Sequence, residues 1–285
     1  MVVLLAVAAA AGWGASDFFG GDASRQRTPV LVVIAVSEVL GLALLAPVLI
    51  GRGTLPPADP RLLLAAIAGV AVTAELSLIY LALSRGDAFI TAPVGALGTA
   101  TAVTIGLTRG NPVDPMIAAG LLIALLGGAI SGWTSGTSSS RTTLAQTAVI
   151  CIGAATAVGV MLTCFHAAGR LDAYWATAAE HASTALSAGL VALAVRRRSP
   201  HRMLPAVSQL PALGRVAAVG VGGDLAYAAA SHHGALSIVS AVSSLYPVTT
   251  ILLGRILQAR HATRIQLVGI ALALSGAALL GAAAG

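Results

Sequence analysis

The sequence of 285 residues contains no lysine and few charged side chains of any kind. Only 9% of the residues are charged and 4% are aromatic, whereas 57% are hydrophobic. A water-soluble chain of this length cannot cover its surface with so few charges, which excludes a soluble enzyme or binding domain. The mean hydropathy of +0.92 is typical of an integral membrane protein.

All sixteen basic residues are arginines, and they lie between apolar runs or at the ends of those runs. The net charge is +6, but the sequence has no basic face and few aromatic residues, so we expect no nucleic-acid partner. Arginines placed in this way are typical of proteins anchored at the surface of a membrane. We therefore expect the lipid bilayer to surround most of the chain.

The sequence also has little of what metal or nucleotide chemistry requires. The two cysteines, Cys151 and Cys164, lie in one apolar run, and no pair of histidines has the spacing and carboxylate company of a zinc site. There is no Gly-Lys-Ser loop to hold a phosphate, which argues against ATP hydrolysis. We therefore expect no metal and no cofactor, and any transport would depend on a gradient.

Ten apolar runs are each long enough to cross a bilayer as a helix, which takes about twenty residues. They cover roughly residues 2–20, 29–50, 62–84, 88–107, 115–133, 144–167, 173–195, 212–231, 236–257 and 265–284. Backbone at membrane depth must satisfy its own hydrogen bonds, because lipid offers no partners. The sequence therefore predicts an all-α integral membrane protein with ten transmembrane helices.

A stretch of the first half of the chain recurs in the second half. Tyr80–Gly127 is similar to Tyr227–Gly276, and the offset between matched residues grows from 147 to 149 along the stretch, as expected when the turns have drifted. Five helices in each half is an odd number, so the halves would insert with opposite orientations. We therefore predict two inverted five-helix repeats, residues 1–139 and 140–285, an arrangement that transporters place around a central site.

The arginines divide unevenly between the two sides of the predicted bundle. Four lie on one side, namely Arg52, Arg61, Arg109 and Arg170, and the other twelve lie on the opposite side. Cytoplasmic loops of membrane proteins carry an excess of arginine and lysine. This rule predicts that the arginine-rich side faces the cytoplasm and that both termini lie outside.

Small residues and prolines within the runs predict how the helices pack. Gly120 and Gly127 share one helix face through their seven-residue spacing, as do Gly269 and Gly276, and such faces let helix backbones approach closely in lipid. Prolines at 93 and 247 lie within the fourth and ninth runs. Each is expected to free a backbone carbonyl and to bend its helix.

Small-residue apolar segments recur in order in both halves. They are GWGASDFFGG, LIYLALSRGDAFITAPVGALG and GLLIALLGGAIS in the first half, and LAYAAASHHGALSIVSAVSSLYPVTTILLG and QLVGIALALSGAALL in the second. Together these segments resemble the EamA repeat of the drug/metabolite transporter superfamily. The second copy departs from the first at Ala241, which stands where Pro93 stands. The resemblance implies ten helices in two inverted repeats that move a small solute across the cytoplasmic membrane, and it does not specify the solute.

Five of the ten acidic residues lie inside apolar runs, namely Asp17, Glu38, Glu75, Glu180 and Asp224. A charge there costs on the order of 2.5–3.5 kcal/mol, so each carboxyl group must face a cavity, pair with a cation or stay protonated. The repeat makes the runs of Glu38 and Glu180 equivalent, and those of Glu75 and Asp224. We hypothesise that Glu38 or Glu75 binds a proton or a cationic substrate, with the other two as counterparts. Hydrogen bonding between packed helices is the alternative for each, and an interfacial position is the alternative for Asp17.

Three aromatic residues are further candidates for contact with a solute. Tyr80 and Tyr227 occupy matched positions a few residues after an acid. Each hydroxyl could form a hydrogen bond with the substrate or with that carboxylate, and the alternative is that each tyrosine is buried in the core. Trp13 either forms a cavity wall or packs between helices. His181 directly follows Glu180, but adjacent helical residues point about 100° apart, so we expect no dyad between them.

These observations favour a secondary transporter that moves a small organic metabolite or drug by alternating access, plausible as a proton-coupled exporter in the cytoplasmic membrane. A polytopic membrane enzyme and a non-transporting subunit or sensor are the alternatives. An enzyme would need a catalytic cluster near an interface, often histidine with an acid, whereas these acids are spread through the spans and mirrored between the halves. The sequence leaves the oligomeric state open.

Overall fold

The fold consists of helices that follow the ten apolar runs. The structure is a computed structural model that describes residues 1–24, 28–84, 91–110, 114–131, 144–196, 205–258 and 263–283. All regular secondary structure within these ranges is helical. The prediction of an all-α protein is therefore confirmed.

Eleven α-helices are present in the described ranges. They are α1 (Val2–Ser24), α2 (Val30–Arg52), α3 (Leu63–Ser84), α4 (Thr91–Thr108), α5 (Pro115–Ser131), α6 (Leu144–Gly169), α7 (Ala173–Arg196), α8 (Leu210–His233), α9 (Leu236–Ser243), α10 (Tyr246–Gln258) and α11 (Arg264–Ala283). Six segments are long and apolar enough to cross a membrane: α1, α2, α3, α6, α7 and the pair α9–α10 taken together. Shorter apolar helices lie within α4, α5 and α11.

The ninth run is broken into two helices, as the proline at its centre requires. Pro247 has no backbone N–H, and its ring would collide with the carbonyl group of Ser243, where α9 ends. The expected bend at Pro247 is therefore a full interruption between α9 and α10. The six residues before Thr91, the first described residue of α4, lie outside the described ranges, so the bend expected at Pro93 stays a prediction.

The helices pair between the first and second halves of the chain. The most extensive contacts between helices join α1 to α8, α3 to α6, α2 to α7 and α5 to α11. In addition, α4 packs on α6 and α9, while α1 packs on both α9 and α10. Each half therefore buries its helices against the other half, and the two form one bundle.

Contacts at the two ends of α2 and α7 show that these helices run in opposite directions. At one end, the guanidinium nitrogens of Arg52 lie 3.0 and 2.7 Å from the carboxylate oxygens of Asp172, which joins the end of α2 to the start of α7. At the other end, the Thr28 hydroxyl donates to the side-chain oxygen of Gln209 at 2.9 Å, which joins the segment before α2 to the segment after α7.

Glycine brings two helix pairs into backbone contact. A Cβ at Gly127 of α5 would lie 2.2 Å from the backbone nitrogen of Ala273, and one at Gly276 of α11 would lie 2.3 Å from a backbone nitrogen of α5. A Cβ at Gly12 of α1 would lie 2.6 Å from the Cα of Gly223 on α8. Because lipid supplies no hydrophobic driving force between helices, the van der Waals contacts of closely packed backbones hold them together. The predicted glycine packing faces of α5 and α11 are confirmed.

We predict that Gly223→Ala destabilises the protein, whereas the adjacent Gly222→Ala does not. The new Cβ at position 223 would lie 2.8 Å from Cδ1 of Trp13, while nothing lies within 4 Å of the Cβ position at 222. Overpacking of this kind costs about 1–3 kcal/mol, whereas alanine is the better helix former at the open position. The check is thermal unfolding in detergent. Equal melting temperatures for the two variants would contradict the described α1–α8 contact.

Asp172 holds the start of α7 and also pairs with Arg52. Its Oδ1 accepts hydrogen bonds from the backbone N–H groups of Tyr174 and Trp175 at 2.9 and 3.0 Å. Partial burial raises the pKa of Asp172, but the hydrogen bonds from Arg52 and from the backbone outweigh this and leave the pKa below its usual value. A lowered carboxyl pKa stabilises the fold above the unfolded-state pKa, and that contribution is lost as the pH falls through the folded-state pKa.

We expect Asp172→Asn to lower stability by at most about 1 kcal/mol, the value of an ion pair that is largely open to solvent. Asp172→Ala also removes the cap of α7 and is expected to cost about 1 kcal/mol more. Melting temperatures in detergent at neutral and acidic pH check both values. The difference between wild type and Asp172→Asn should shrink in acid, and a difference that grows in acid would contradict the ion pair.

Candidate functional site

The acidic residues within the helices fall into two groups. We call Glu38, Glu180, His181 and Asp224 the histidine cluster, because His181 lies among the three carboxylates. We call Asp17 and Glu75 the acid pair, because the two carboxyl groups interact electrostatically with each other. The histidine cluster is built from α2, α7 and α8, and the acid pair from α1 and α3.

His181 lies between carboxylates from two other helices. Its Nδ1 contacts Oε2 of Glu38 on α2, and its Nε2 lies 3.2 Å from Oδ2 of Asp224 on α8. The imidazole is 3% exposed, whereas the carboxylates of Glu38 and Asp224 are 21% and 16% exposed. Each ring nitrogen therefore faces an acidic acceptor, and a single side chain connects three helices.

Glu180 adds a third carboxylate next to His181. It is buried, and its Oε1 accepts a hydrogen bond from the Thr184 hydroxyl one turn later, at 2.7 Å. One donor atom each from Glu38, Glu180 and His181 lies within 4.8 Å of the other two, which is a grouping able to hold a metal ion. The spacing of histidines and acids along the chain predicted no metal site, because such spacing does not reveal a cluster assembled from separate helices.

Trp13 of α1 connects the histidine cluster to the aromatic core. Its Nε1–H donates to Oδ1 of Asp224 at 2.7 Å, and its ring centroid lies 5.1 Å from that of Tyr227. Tyr227 is fully buried and stacks on Phe165, and its hydroxyl donates to the carbonyl oxygen of Leu162 at 2.8 Å. Tyr227 is therefore a core residue, which is the second of the two alternatives considered for it. Trp13, in contrast, contacts an acid directly. The side chain of Tyr80, in α3, lies outside the described residues.

Glycines leave room for the cluster on two sides of α7. A Cβ at Gly41 of α2 would lie 3.1 Å from Nδ1 of His181. A Cβ at Gly69 of α3 would lie 2.4 Å from the carbonyl oxygen of Glu180 and 2.7 Å from the Thr184 hydroxyl. The close approach of α2 and α3 to α7 therefore depends on the lack of a side chain at both positions.

Asp17, the member of the acid pair on α1, lies on the face that this helix packs against the bundle, and its side chain is accessible. Ala6, Ala10, Trp13 and Asp17 follow one another at helical spacing and share a face of α1. Ala6 and Ala10 are buried, whereas Asp17 is exposed, so the packing opens on this face toward the end of the helix. Both members of the pair also interact electrostatically with the hydroxyl of Tyr246, the first residue of α10.

The structure therefore brings together some of the predicted site residues and separates others. Glu38 and Glu180, from equivalent runs, meet in the histidine cluster. Asp224 joins them, whereas Glu75, its counterpart in the repeat, lies with Asp17 instead. The prediction that Glu75 and Asp224 occupy equivalent positions in the two repeats stays a prediction.

Two further residues of the site, His181 and Tyr246, were missed by the sequence analysis. The angle between adjacent helical positions argues against a dyad of Glu180 with His181, but it does not prevent the imidazole from reaching acids on α2 and α8. The signal was present, because a histidine within an apolar run needs a polar partner on a neighbouring helix. The signal for Tyr246 was its position directly before the helix-breaking Pro247.

A bundle of apolar helices with inward-facing acids defines a multi-pass membrane protein with a polar interior. Comparison with family models matches residues 144–282, in the second half of the chain, to the EamA-like transporter family. The resemblance seen in the sequence is confirmed, and it agrees with the drug/metabolite transporter superfamily. EamA-family proteins are typically membrane transporters.

Solved structures share the fold, and 28 of their chains match this one. One of them, described only as the crystal structure of a protein, has a TM-score of 0.76 and 17% sequence identity, and the match covers 98% of this chain and 95% of that chain. At this identity the likeness concerns the fold alone. A search of the curated proteins finds no match.

Proposed function

We propose that the protein is a secondary transporter that exports a small organic metabolite or drug by alternating access, in exchange for protons, across the cytoplasmic membrane. The family match supports transport. The observation that carries the mechanism is the acid pair. No arginine or histidine in the described part of the chain forms an ion pair with Asp17 or Glu75.

Two carboxylates inside a lipid-embedded bundle require positive charge, and the acid pair obtains it from outside the protein. A proton or the ammonium group of a solute meets this need equally well, so the two compete for one site. Binding of one then requires release of the other, which is the requirement for exchange. Tyr246 interacts electrostatically with both acids, and an aromatic side chain near the pair suits the binding of an organic cation.

The arrangement of helices supports two inverted repeats, residues 1–139 and 140–285. Exchanging the first five helices with the last set leaves the main contacts unchanged: α1 on α8 corresponds to α6 on α3, and α4 on α6 corresponds to α9 and α10 on α1. The α2–α7 and α5–α11 contacts correspond to themselves. Transporters with this symmetry alternate between two conformations by moving one repeat against the other.

The broken span α9–α10 lies beside the acid pair and is suited to act as the moving element. The Thr250 hydroxyl of α10 donates to the carbonyl oxygen of Gly14 on α1 at 2.9 Å. A Cβ at Gly14 would lie 2.3 Å from the carbonyl oxygen of Tyr246, so the break packs tightly on α1 next to Asp17. Interrupted helices at membrane depth are a common feature of transporter binding sites.

The membrane-enzyme alternative is less well supported. The histidine cluster has the residue types that such an enzyme needs, but its members lie within helices rather than at an end of the bundle. Glu38 is eight residues from the nearer end of α2, and Asp224 is nine residues from the nearer end of α8. A lipid head group at the interface would not reach them.

The test is solute flux into proteoliposomes that contain the full-length protein under an imposed pH gradient. Amines, amino acids and aromatic cations form the panel of solutes. We expect Asp17→Asn and Glu75→Gln each to lower gradient-driven flux about tenfold or more, because each removes a charge that the cation requires. Both substitutions keep side-chain size, so folding should be maintained.

Asp22→Asn provides a matched control on the same helix. Asp22 is exposed near the end of α1, where its carboxylate accepts from the Gln258 amide at 3.3 Å. This variant should transport as the wild type does. If Asp17→Asn and Glu75→Gln both keep full flux and the same response to the pH gradient, the acid pair is not the coupling site.

A further inference from the structure

The histidine cluster is not used by the proposed exchange at the acid pair, although it holds most of the acids within the bundle. We propose that Glu38, Glu180 and His181 form a binding site for a divalent transition-metal ion of the Zn²⁺ type, and that Asp224 holds the imidazole in place. This inference goes beyond the proposed function and does not depend on the identity of the transported solute.

The donor atoms are close enough to coordinate one ion. One atom each from Glu38, Glu180 and His181 lies within 4.8 Å of the others. Around an ion with bonds of about 2.1 Å, ligand atoms stand about 3.4 Å apart in a tetrahedron. To hold an ion, Glu38 must therefore move away from Nδ1 of His181, and the more distant donor atoms must move inward by up to about 1 Å. Small rotations of the two glutamates supply both changes. A fourth position remains for water or a solute.

The side chains around the cluster hold two of its members in fixed orientations. Nε2 of His181 lies 3.2 Å from Oδ2 of Asp224, so this nitrogen can donate to Asp224 while Nδ1 faces Glu38. The Trp13 indole in turn donates to Oδ1 of the same carboxylate at 2.7 Å. Metal-binding histidines typically donate their second N–H to a carboxylate, which fixes the ring and strengthens the ligand. The same arrangement is present here, with His181 as the ligand, Asp224 as the carboxylate and the Trp13 indole as a donor to that carboxylate.

Glu180 is held by a similar outer contact. Its Oε1 accepts from the Thr184 hydroxyl at 2.7 Å, which leaves Oε2 for an ion. Both Glu180 and His181 are more than nine-tenths buried. Buried ligands that are oriented by their own hydrogen bonds distinguish this cluster from exposed acidic groups, which occur commonly without an ion.

Charge balance favours a divalent cation at this position. The cluster contains three carboxylates and one imidazole, and no arginine in the described part of the chain makes an ion pair with any of them. Unbalanced charge is costly inside a membrane protein. An ion of charge +2 neutralises Glu38 and Glu180, while Asp224 keeps its two hydrogen-bond donors.

The ligand set also restricts the type of ion. Two carboxylate oxygens and one imidazole nitrogen suit Zn²⁺, Co²⁺ and Mn²⁺, whereas Cu⁺ prefers sulfur ligands and Mg²⁺ and Ca²⁺ prefer oxygen alone. Cys151 and Cys164 lie on α6, which contributes no residue to the cluster. We therefore expect Zn²⁺ and Co²⁺ to bind and Ca²⁺ not to bind.

The test uses the full-length protein in detergent, purified without a histidine tag. Zn²⁺ binding is measured by titration calorimetry, and Co²⁺ binding by its visible absorption, which reports coordination geometry. We expect one ion per chain. Glu38→Gln and His181→Asn should each weaken binding about 100-fold or more, and Asp224→Asn about 10–100-fold, the usual loss for a side chain that orients a ligand.

Two controls separate this site from other histidines and acids. His232 and His233 lie together at the end of α8, so the double variant His232→Gln/His233→Gln removes an exposed alternative and should bind with unchanged affinity. Asp22→Asn should also bind as the wild type does. Melting temperature and elution profile without metal show whether each variant is folded, and three independent substitutions keep the test valid if one variant does not fold.

The proposal is overturned if the wild type binds no Zn²⁺ or Co²⁺ at one ion per chain. It is also overturned if folded Glu38→Gln and His181→Asn variants bind as tightly as the wild type, or if the His232/His233 variant abolishes binding. Because the measurement needs no transport, it is independent of the flux experiment on Asp17 and Glu75. If the wild type binds one metal ion but the Asp17 and Glu75 variants keep full flux, only the proposed exchange fails. If those variants lose flux but the wild type binds no metal ion, only the metal site fails.

Discussion

The structure depends on the cost of placing charge inside lipid. Each carboxylate within the helices must find positive charge or a hydrogen-bond donor, and lipid supplies neither. This constraint fixes which faces of α2, α7 and α8 turn inward, because Glu38 and Asp224 both reach His181 only from those faces. It also separates two environments, one in which the acids have an imidazole partner and one in which Asp17 and Glu75 have none among the described residues.

The sequence predicted the parts of the fold that depend on local properties. Span length, hydropathy and seven-residue glycine spacing are properties of single segments, and the helices and the Gly127–Gly276 contact follow from them. The partners of the acids are not local. His181 was set aside because only its neighbour in the chain was considered, although its partners lie on α2 and α8.

Packing and polar chemistry use the same glycines. Gly41 makes space for the His181 ring, Gly69 lets α3 approach the backbone at Glu180, and Gly223 lets Trp13 reach the neighbouring Asp224. A side chain at any of these positions would separate two helices and displace a polar contact together. The small residues that a membrane bundle needs for close packing are therefore also what allows short hydrogen bonds between buried polar groups.

Helix α1 contributes to both groups of acids within a single turn. Trp13 donates to Asp224, and Asp17, four residues later on the same face, interacts with Glu75. A rotation of this helix about its axis moves both side chains at once. Energetic linkage is reciprocal, so a ligand that fixes the angle of α1 through one residue changes the affinity at the other by the same factor in both directions. The five residues from Trp13 to Asp17 would thus link the two proposed binding sites thermodynamically.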